Sequence, residues 1–245
     1  MAVITRPSPN FNDRRLPLSM LVLHYTGMET GEAAIERLCD PEFSVSAHYV
    51  VEEDGRVFQL VSEDKRAWHA GKGVWRGCSD INSASIGVEI VNGGHDFGLP
   101  DYPDSQIEAV LGLCQGILAR HPIKACDVIG HSDLAPDRKQ DPGEKFPWKR
   151  FAEAGVGLWP QAVPTVLPPC APGDVGKAVT ALRQACLEIG YGVEPEGAYD
   201  EALKAVVLAF QRRFRPERLD GVADEQTCAL IEGLRRQVTS VIPKG

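Results

Sequence analysis

The 245-residue sequence has no uninterrupted apolar run of about 18 residues, so no membrane-spanning helix is expected. Met1 to Arg15 carries Pro7, Pro9 and three arginines, without the apolar centre that a secretory signal needs. Cysteine is sparse and odd in number: seven residues, none in a Cys-x-x-Cys pair. That pattern argues against a disulfide framework and against a cysteine-bound structural zinc. Positive charge is not in excess either, since the formal net charge is −8, which disfavours a general nucleic-acid partner. The expected location is the cytoplasm, with the periplasm or envelope as the alternative if a signal segment has been removed. No membrane partner is expected, and the oligomeric state is left open.

A hydrophobic content of 43% and a charged content of 24% are those of a globular protein with a usable core. Prolines 160, 164, 168, 169 and 172 fall in a stretch without a charged residue. This reads as a stiff, extended linker over 161–172, separating a domain over 1–160 from one over 173–245. In the first domain, Leu18 to His24, Ile86 to Val91 and Cys126 to Gly130 read as buried strands. Ala47 to Val51 and Arg56 to Val61 flank the hairpin signal Glu52-Glu53-Asp54-Gly55. Glu29 to Leu38 has helical composition, and Ser105 to Arg120 has the apolar spacing of one helix face, with Ser105 and Glu108 as its capping box. The fold class expected is α/β, a mixed central sheet flanked by helices. The second domain reads as three helices, Val175 to Ile189, Glu201 to Phe214 and Glu225 to Leu234. Asp200 and Asp224 stand at cap positions of the last two.

Two apolar strands end on a histidine, Leu21-Val22-Leu23-His24 and Val128-Ile129-Gly130-His131, and Asp141 follows the second by ten residues. Two imidazoles and a carboxylate are the ligand set of a catalytic zinc with one position left for water. Lys139, two residues before Asp141, is either a solvated charge in a polar run or a group that stabilises a substrate oxyanion. Glu89 sits in the otherwise apolar strand Ile86-Gly87-Val88-Glu89-Ile90-Val91. A carboxylate there needs a reason: a structural partner such as an arginine, or the task of taking a proton from a metal-activated water. His48 and His69 read as groups lining or backing the cleft rather than as ligands. Trp68 and Arg76, near His69, offer a flat face for a sugar ring and a guanidinium for a carboxylate. His95 and His121 carry no such context.

Several separated blocks share their order with a known family: Leu23-His24-Tyr25-Thr26, Ser46-Ala47-His48-Tyr49, Ala67-Trp68-His69-Ala70-Gly71, Asn82 to Asn92, and Gly130 to Trp148. Over Leu18 to Trp159 the chain resembles the zinc N-acetylmuramoyl-L-alanine amidases, whose fold is shared with the peptidoglycan recognition proteins. The resemblance implies that His24, His131 and Asp141 hold Zn2+ and that Glu89 and Lys139 are the catalytic pair. His69, Trp68, Arg76, Asn92 and His48 are the substrate-binding candidates. Over Gly173 to Leu234 the chain is similar to a three-helix peptidoglycan-binding module, departing from its pattern at Gly197-Ala198-Tyr199-Asp200. The implied reaction is zinc-dependent hydrolysis of the amide joining N-acetylmuramic acid to L-alanine. The expected substrates, and partners, are peptidoglycan fragments such as the 1,6-anhydro-muropeptides of cell-wall recycling. Polymeric peptidoglycan in the envelope, a cut within the stem peptide, and a muropeptide sensor without catalysis are the competing readings.

Overall fold

The structure is a computed structural model that describes residues 2–241. Met1 and the last four residues of the expected helical domain lie outside the described residues. Among the described residues eight strands form: β1 (Val3–Thr5), β2 (Phe11–Asp13), β3 (Met20–Tyr25), β4 (Tyr49–Val51), β5 (Val57–Gln59), β6 (Lys65–Ala67), β7 (Ser85–Ile90) and β8 (Val128–Gly130). Six of them make one sheet in the order β1-β5-β4-β7-β3-β8, while β2 pairs with β6 separately. β4 and β5 are the expected antiparallel hairpin, and β4, β7, β3 and β8 run parallel to one another. The sheet is therefore mixed, as its residue pattern suggests.

Register determines what the sheet presents at its end. His24 of β3 lies beside Glu89 of β7, and Leu23 lies beside Gly130, the last residue of β8. Adjacent in-register residues of parallel strands project to the same face. Three neighbouring strand ends thus deliver His24, Glu89 and His131 at one level. Loops beyond the carboxyl ends of parallel strands are the usual place for a site in such sheets.

The two faces of β3 divide the core. Leu21 and Leu23 pack with Ile107, Val110, Cys114 and Ile117 of α3 (Asp104–Arg120), the apolar stripe read from the sequence. Capping differs from the expectation: α3 begins one residue earlier, and the Ser105 hydroxyl donates to the Glu53 carbonyl instead of closing a capping box. The shorter helices are α1 (Gly31–Cys39), α2 (Ile81–Ala84), α4 (His131–Leu134) and α5 (Trp148–Glu153). Of these, α1 starts on a Thr30 cap, whose side chain accepts from the Ala33 amide.

The helical unit comprises α6 (Lys177–Ile189), α7 (Glu201–Phe214) and α8 (Glu225–Val241), the last reaching further than Leu234. Asp200 and Asp224 cap α7 and α8 by accepting from the amides of Leu203 and Thr227. The proline-rich stretch runs along α8, where Val163 donates to Ala229 and Gln237 donates to the Trp159 carbonyl. Met20, Val22, Trp75 and Ile129 share one apolar cluster with Leu182, Phe210, Phe214 and Ile231, so the helical unit is continuous with the core.

A buried polar clamp accompanies that contact. Arg213 pairs with Asp133 at 2.5 Å, donates to the Val128 carbonyl at 2.9 Å and lies over the Trp148 ring. Asp133 also accepts from the Tyr191 hydroxyl and from the Gly130 amide. Since Asp133 belongs to α4, which starts at His131, the helical unit grips the segment that carries the histidine. No helix among the described residues is long and apolar enough to cross a membrane.

Candidate active site

His24, His131 and Asp141 meet at the floor of a cleft of about 910 Å³. The Nδ1 atoms of His24 and His131 are 2.9 Å apart, and each lies 2.9–3.0 Å from Oδ2 of Asp141. All three side chains are buried, and among the described residues this is the one group able to hold a metal. Asp141 is fixed by its own backbone, whose carbonyl accepts from the Ser132 amide.

Neighbouring groups assign the tautomers. The Ser85 hydroxyl donates to the Ile81 carbonyl at 2.6 Å, so its oxygen accepts from Nε2–H of His69 at 3.1 Å. Nδ1 of His69 is then an acceptor and takes Nε2–H of His24 at 3.0 Å. Nε2–H of His131 donates to the Ala70 carbonyl at 2.9 Å. Both Nδ1 atoms are left as lone pairs turned toward each other and toward a carboxylate. Without a cation between them that arrangement is repulsive; with one it is a ligand set. A triangle with sides near 3 Å has its centre about 1.7 Å from each corner, so a point about 2 Å from all three donors exists, as zinc requires. The residues fit the ion.

Charge at the site follows the same arrangement. Burial and the adjacent His131 push His24 down to about 4, against the pull of Asp141. Burial alone would raise Asp141, but His131 and His24 hold its carboxyl well below the usual carboxylate range. Glu89 lines the cleft, and its Oε2 is buried without a hydrogen-bond partner. Burial, then the charge of Asp141, raise its carboxyl well above the ordinary value, while Lys139 opposes the shift. Lys139 also lines the cleft and forms no ion pair among the described residues.

The expected substrate contacts separate into two groups. Trp68 and His69 line the cleft. Both nitrogens of His69 are used inside the protein, however, so it backs His24 rather than facing a ligand. Gly87 makes room for that ring, because a Cβ there would collide with it. Arg76, Asn92 and His48 do not line the cleft. Arg76 donates to the Ile189 carbonyl at the helical unit and lies near Asp127. Asn92 is spent on Pro100 and Gly94. His48 is buried behind the sheet end, donating to the Lys65 carbonyl and accepting from the Gly87 amide. Tyr25, Arg37, Arg138, Leu208 and Arg212 line the cleft and were not among the site candidates read from the sequence. The last two lie on α7, and only the docking of the helical unit brings them there.

Two imidazole nitrogens at strand ends and a carboxylate oxygen from a turn, with a second carboxylate and an ammonium beside them, define a hydrolase-type metal site. Comparison with known proteins gives the family. Residues 14–144 match the family described as N-acetylmuramoyl-L-alanine amidase, and residues 175–231 match a peptidoglycan binding domain. The chain is 36% identical to the N-acetylmuramoyl-L-alanine amidase AmiD of Escherichia coli (strain K12), over 89% of this chain and 82% of that protein. It is 36% identical to the 1,6-anhydro-N-acetylmuramyl-L-alanine amidase AmpD of Enterobacter cloacae, over 54% of this chain and 78% of the relative. In three dimensions it is similar to E. coli AmiD in complex with the substrate anhydro-N-acetylmuramic acid-L-Ala-D-γ-Glu-L-Lys. The TM-score is 0.78 at 34% identity, covering 95% of this chain and 93% of that one. AmpDh3 from Pseudomonas aeruginosa, in complex with anhydromuramic pentapeptide, gives a TM-score of 0.77 at 33% identity, with 95% of each chain covered. The chain belongs to the N-acetylmuramoyl-L-alanine amidase family.

Proposed function

We propose that this protein hydrolyses the amide between the lactyl group of N-acetylmuramic acid and L-alanine, with 1,6-anhydro-muropeptides as its substrates. The observation that carries the reading is the meeting of His24 Nδ1, His131 Nδ1 and Asp141 Oδ2 beside an unpartnered Glu89 carboxylate in a cleft. The family supports the bond class, and the ligands of AmiD and AmpDh3 support the anhydro-sugar. His24, His131 and Asp141 would hold zinc, which when bound supplies Lewis acidity toward water and the scissile carbonyl. Glu89 takes the proton of the attacking water on its free oxygen and returns it to the leaving amine of L-alanine. Its raised proton affinity suits both steps. Lys139 stabilises the negative charge that develops on the carbonyl oxygen. His69 and the Ala70 carbonyl hold the two ligand imidazoles in the required tautomer. Trp68 contributes an aromatic wall.

Residues 1–160 form the hydrolytic unit in this reading, 161–172 the connection, and the remainder a peptidoglycan-binding-like unit. The seven free cysteines support a reducing, cytoplasmic location. Incubation with anhydro-N-acetylmuramoyl-L-Ala-D-γ-Glu-L-Lys, read by mass spectrometry, tests the function. Release of anhydro-N-acetylmuramic acid and a tripeptide with a free alanine amine is expected. A cut within the peptide, or no cut by the zinc-loaded protein, would contradict it. Polymeric peptidoglycan offered in parallel reports whether the small fragment is preferred.

A further inference from the structure

The cleft is walled in part by the helical unit. Ala205, Leu208 and Arg212 of α7 line it, at a spacing that puts them along one side of the helix. Leu203, Val206, Val207 and Phe210 of the same helix are in the core. Arg212 is the anomaly. Its side chain is only 11% exposed, yet it makes no hydrogen bond among the described residues, and its Nε is buried without a partner. The nearest carboxylate oxygen, Oε2 of Glu144, is 3.6 Å away, beyond hydrogen-bond range, and is already bonded to His95 Nε2 at 3.0 Å. The adjacent Arg213 is different: its Nη atoms are committed to Asp133 and to the Val128 carbonyl. A nearly buried guanidinium with free donors is costly unless something fills them. Here the open side is the substrate cleft.

We propose that Arg212 determines specificity by pairing with a free carboxylate of the peptide stem, the α-carboxylate of a glutamate joined through its γ-carboxyl. This rests on the amidase reading above. The planar guanidinium matches a carboxylate in two parallel hydrogen bonds. Arg212 lines the same cleft as His24, His131 and Asp141, and a chain of contacts links it to the residue beside His24. Tyr25, the residue after the ligand His24, donates to His95, which contacts Glu144, which faces Arg212, each step being 3.0–3.6 Å. Glu144 holds the guanidinium in the wall without saturating it. A second unit thereby becomes part of substrate selection.

The test uses the full-length zinc-loaded protein and two substrates. One is anhydro-N-acetylmuramoyl-L-Ala-D-γ-Glu-L-Lys; the other is the same molecule with the glutamate α-carboxylate amidated. The wild type is expected to favour the acidic substrate by about tenfold or more, through KM, as loss of a charge-assisted pair implies. R212M, which keeps the apolar stem, is expected to bring that ratio to within about twofold of parity, with R212K in between. A wild type without preference, or an R212M ratio equal to the wild-type ratio, overturns the proposal. Calorimetric binding of both molecules to E89Q and to E89Q/R212M reads the same pairing without turnover. Preference for the acidic form that vanishes with Arg212 supports the pairing even if no bond is cut, a result that would remove the amidase reading alone. Equal binding of both forms to E89Q removes the pairing.

Discussion

Replacing His69 by phenylalanine isolates the support of the metal site from its ligands. The ring volume is kept in the space left by Gly87, but Nδ1, the acceptor for His24 Nε2–H, is removed. His24 is 1% exposed, so no solvent replaces the lost partner. An orphaned buried donor costs about 1–3 kcal/mol. The imidazole also loses the hydrogen bond that fixes its lone pair on Nδ1. Loss of such outer partners lowers metal affinity by about 10–100-fold, or about 1.4–2.7 kcal/mol. The two routes agree, so zinc affinity is expected to fall by one to two orders of magnitude while the apo fold persists. Competition with a chromophoric chelator measures it, with the apo melting temperature as control. Zinc affinity within about twofold of wild type, in a folded H69F protein, would refute the assignment of the His24 tautomer.

Four further outcomes are expected. Glu89→Gln keeps its zinc by elemental analysis but loses about 100-fold or more in kcat, since a general base contributes that much; wild-type turnover would end its role. Arg213→Ala leaves the fully buried Asp133 uncompensated and is expected to lower unfolding free energy by about 3–5 kcal/mol in urea titration, with a change under 1 kcal/mol contradicting the clamp. Gly87→Ala is expected to displace the His69 ring and weaken zinc binding in the same chelator assay, and unchanged affinity would show that the ring has room to spare. Burial pushes His48 down to about 3, against its bond to the Lys65 carbonyl, so the unfolded chain binds more protons between about pH 6.5 and 3. Stability contributed by neutral His48 is present above the unfolded value and is lost as pH falls through that window, by up to about 1.4 kcal/mol per unit. A His48→Gln variant with the wild-type pH slope in urea midpoints would argue against this origin.

Much of this site is legible in the sequence because strand ends are rigid. An apolar run that stops on a histidine, twice, and a glutamate inside a third apolar run are local patterns, and the parallel register sets them side by side. α1, α3 and the three helices of the second unit follow from composition and apolar spacing, with aspartate caps on α7 and α8, while the short α2, α4 and α5 left no periodic trace. What the sequence hid depends on docking. Arg76 resembled a substrate ligand because it neighbours Trp75 and His69, yet its loop turns toward α6 and donates to Ile189. Arg212 and Leu208 looked like ordinary α7 positions, because a cleft built across two units leaves no periodic trace in either. His48 and His69 share a motif-rich neighbourhood, but which faces substrate and which stays internal is decided by ring hydrogen bonds no spacing encodes. The short strands β1, β2 and β6 escaped because three residues give too little alternation to read.

The central claim is that three donors share one ion. Anomalous diffraction at the zinc edge from crystals of the zinc-loaded protein addresses it directly. One peak per chain about 2 Å from His24 Nδ1, His131 Nδ1 and Asp141 Oδ2 is the predicted result. A peak elsewhere, or ligation through Nε2 of either histidine, would contradict the account.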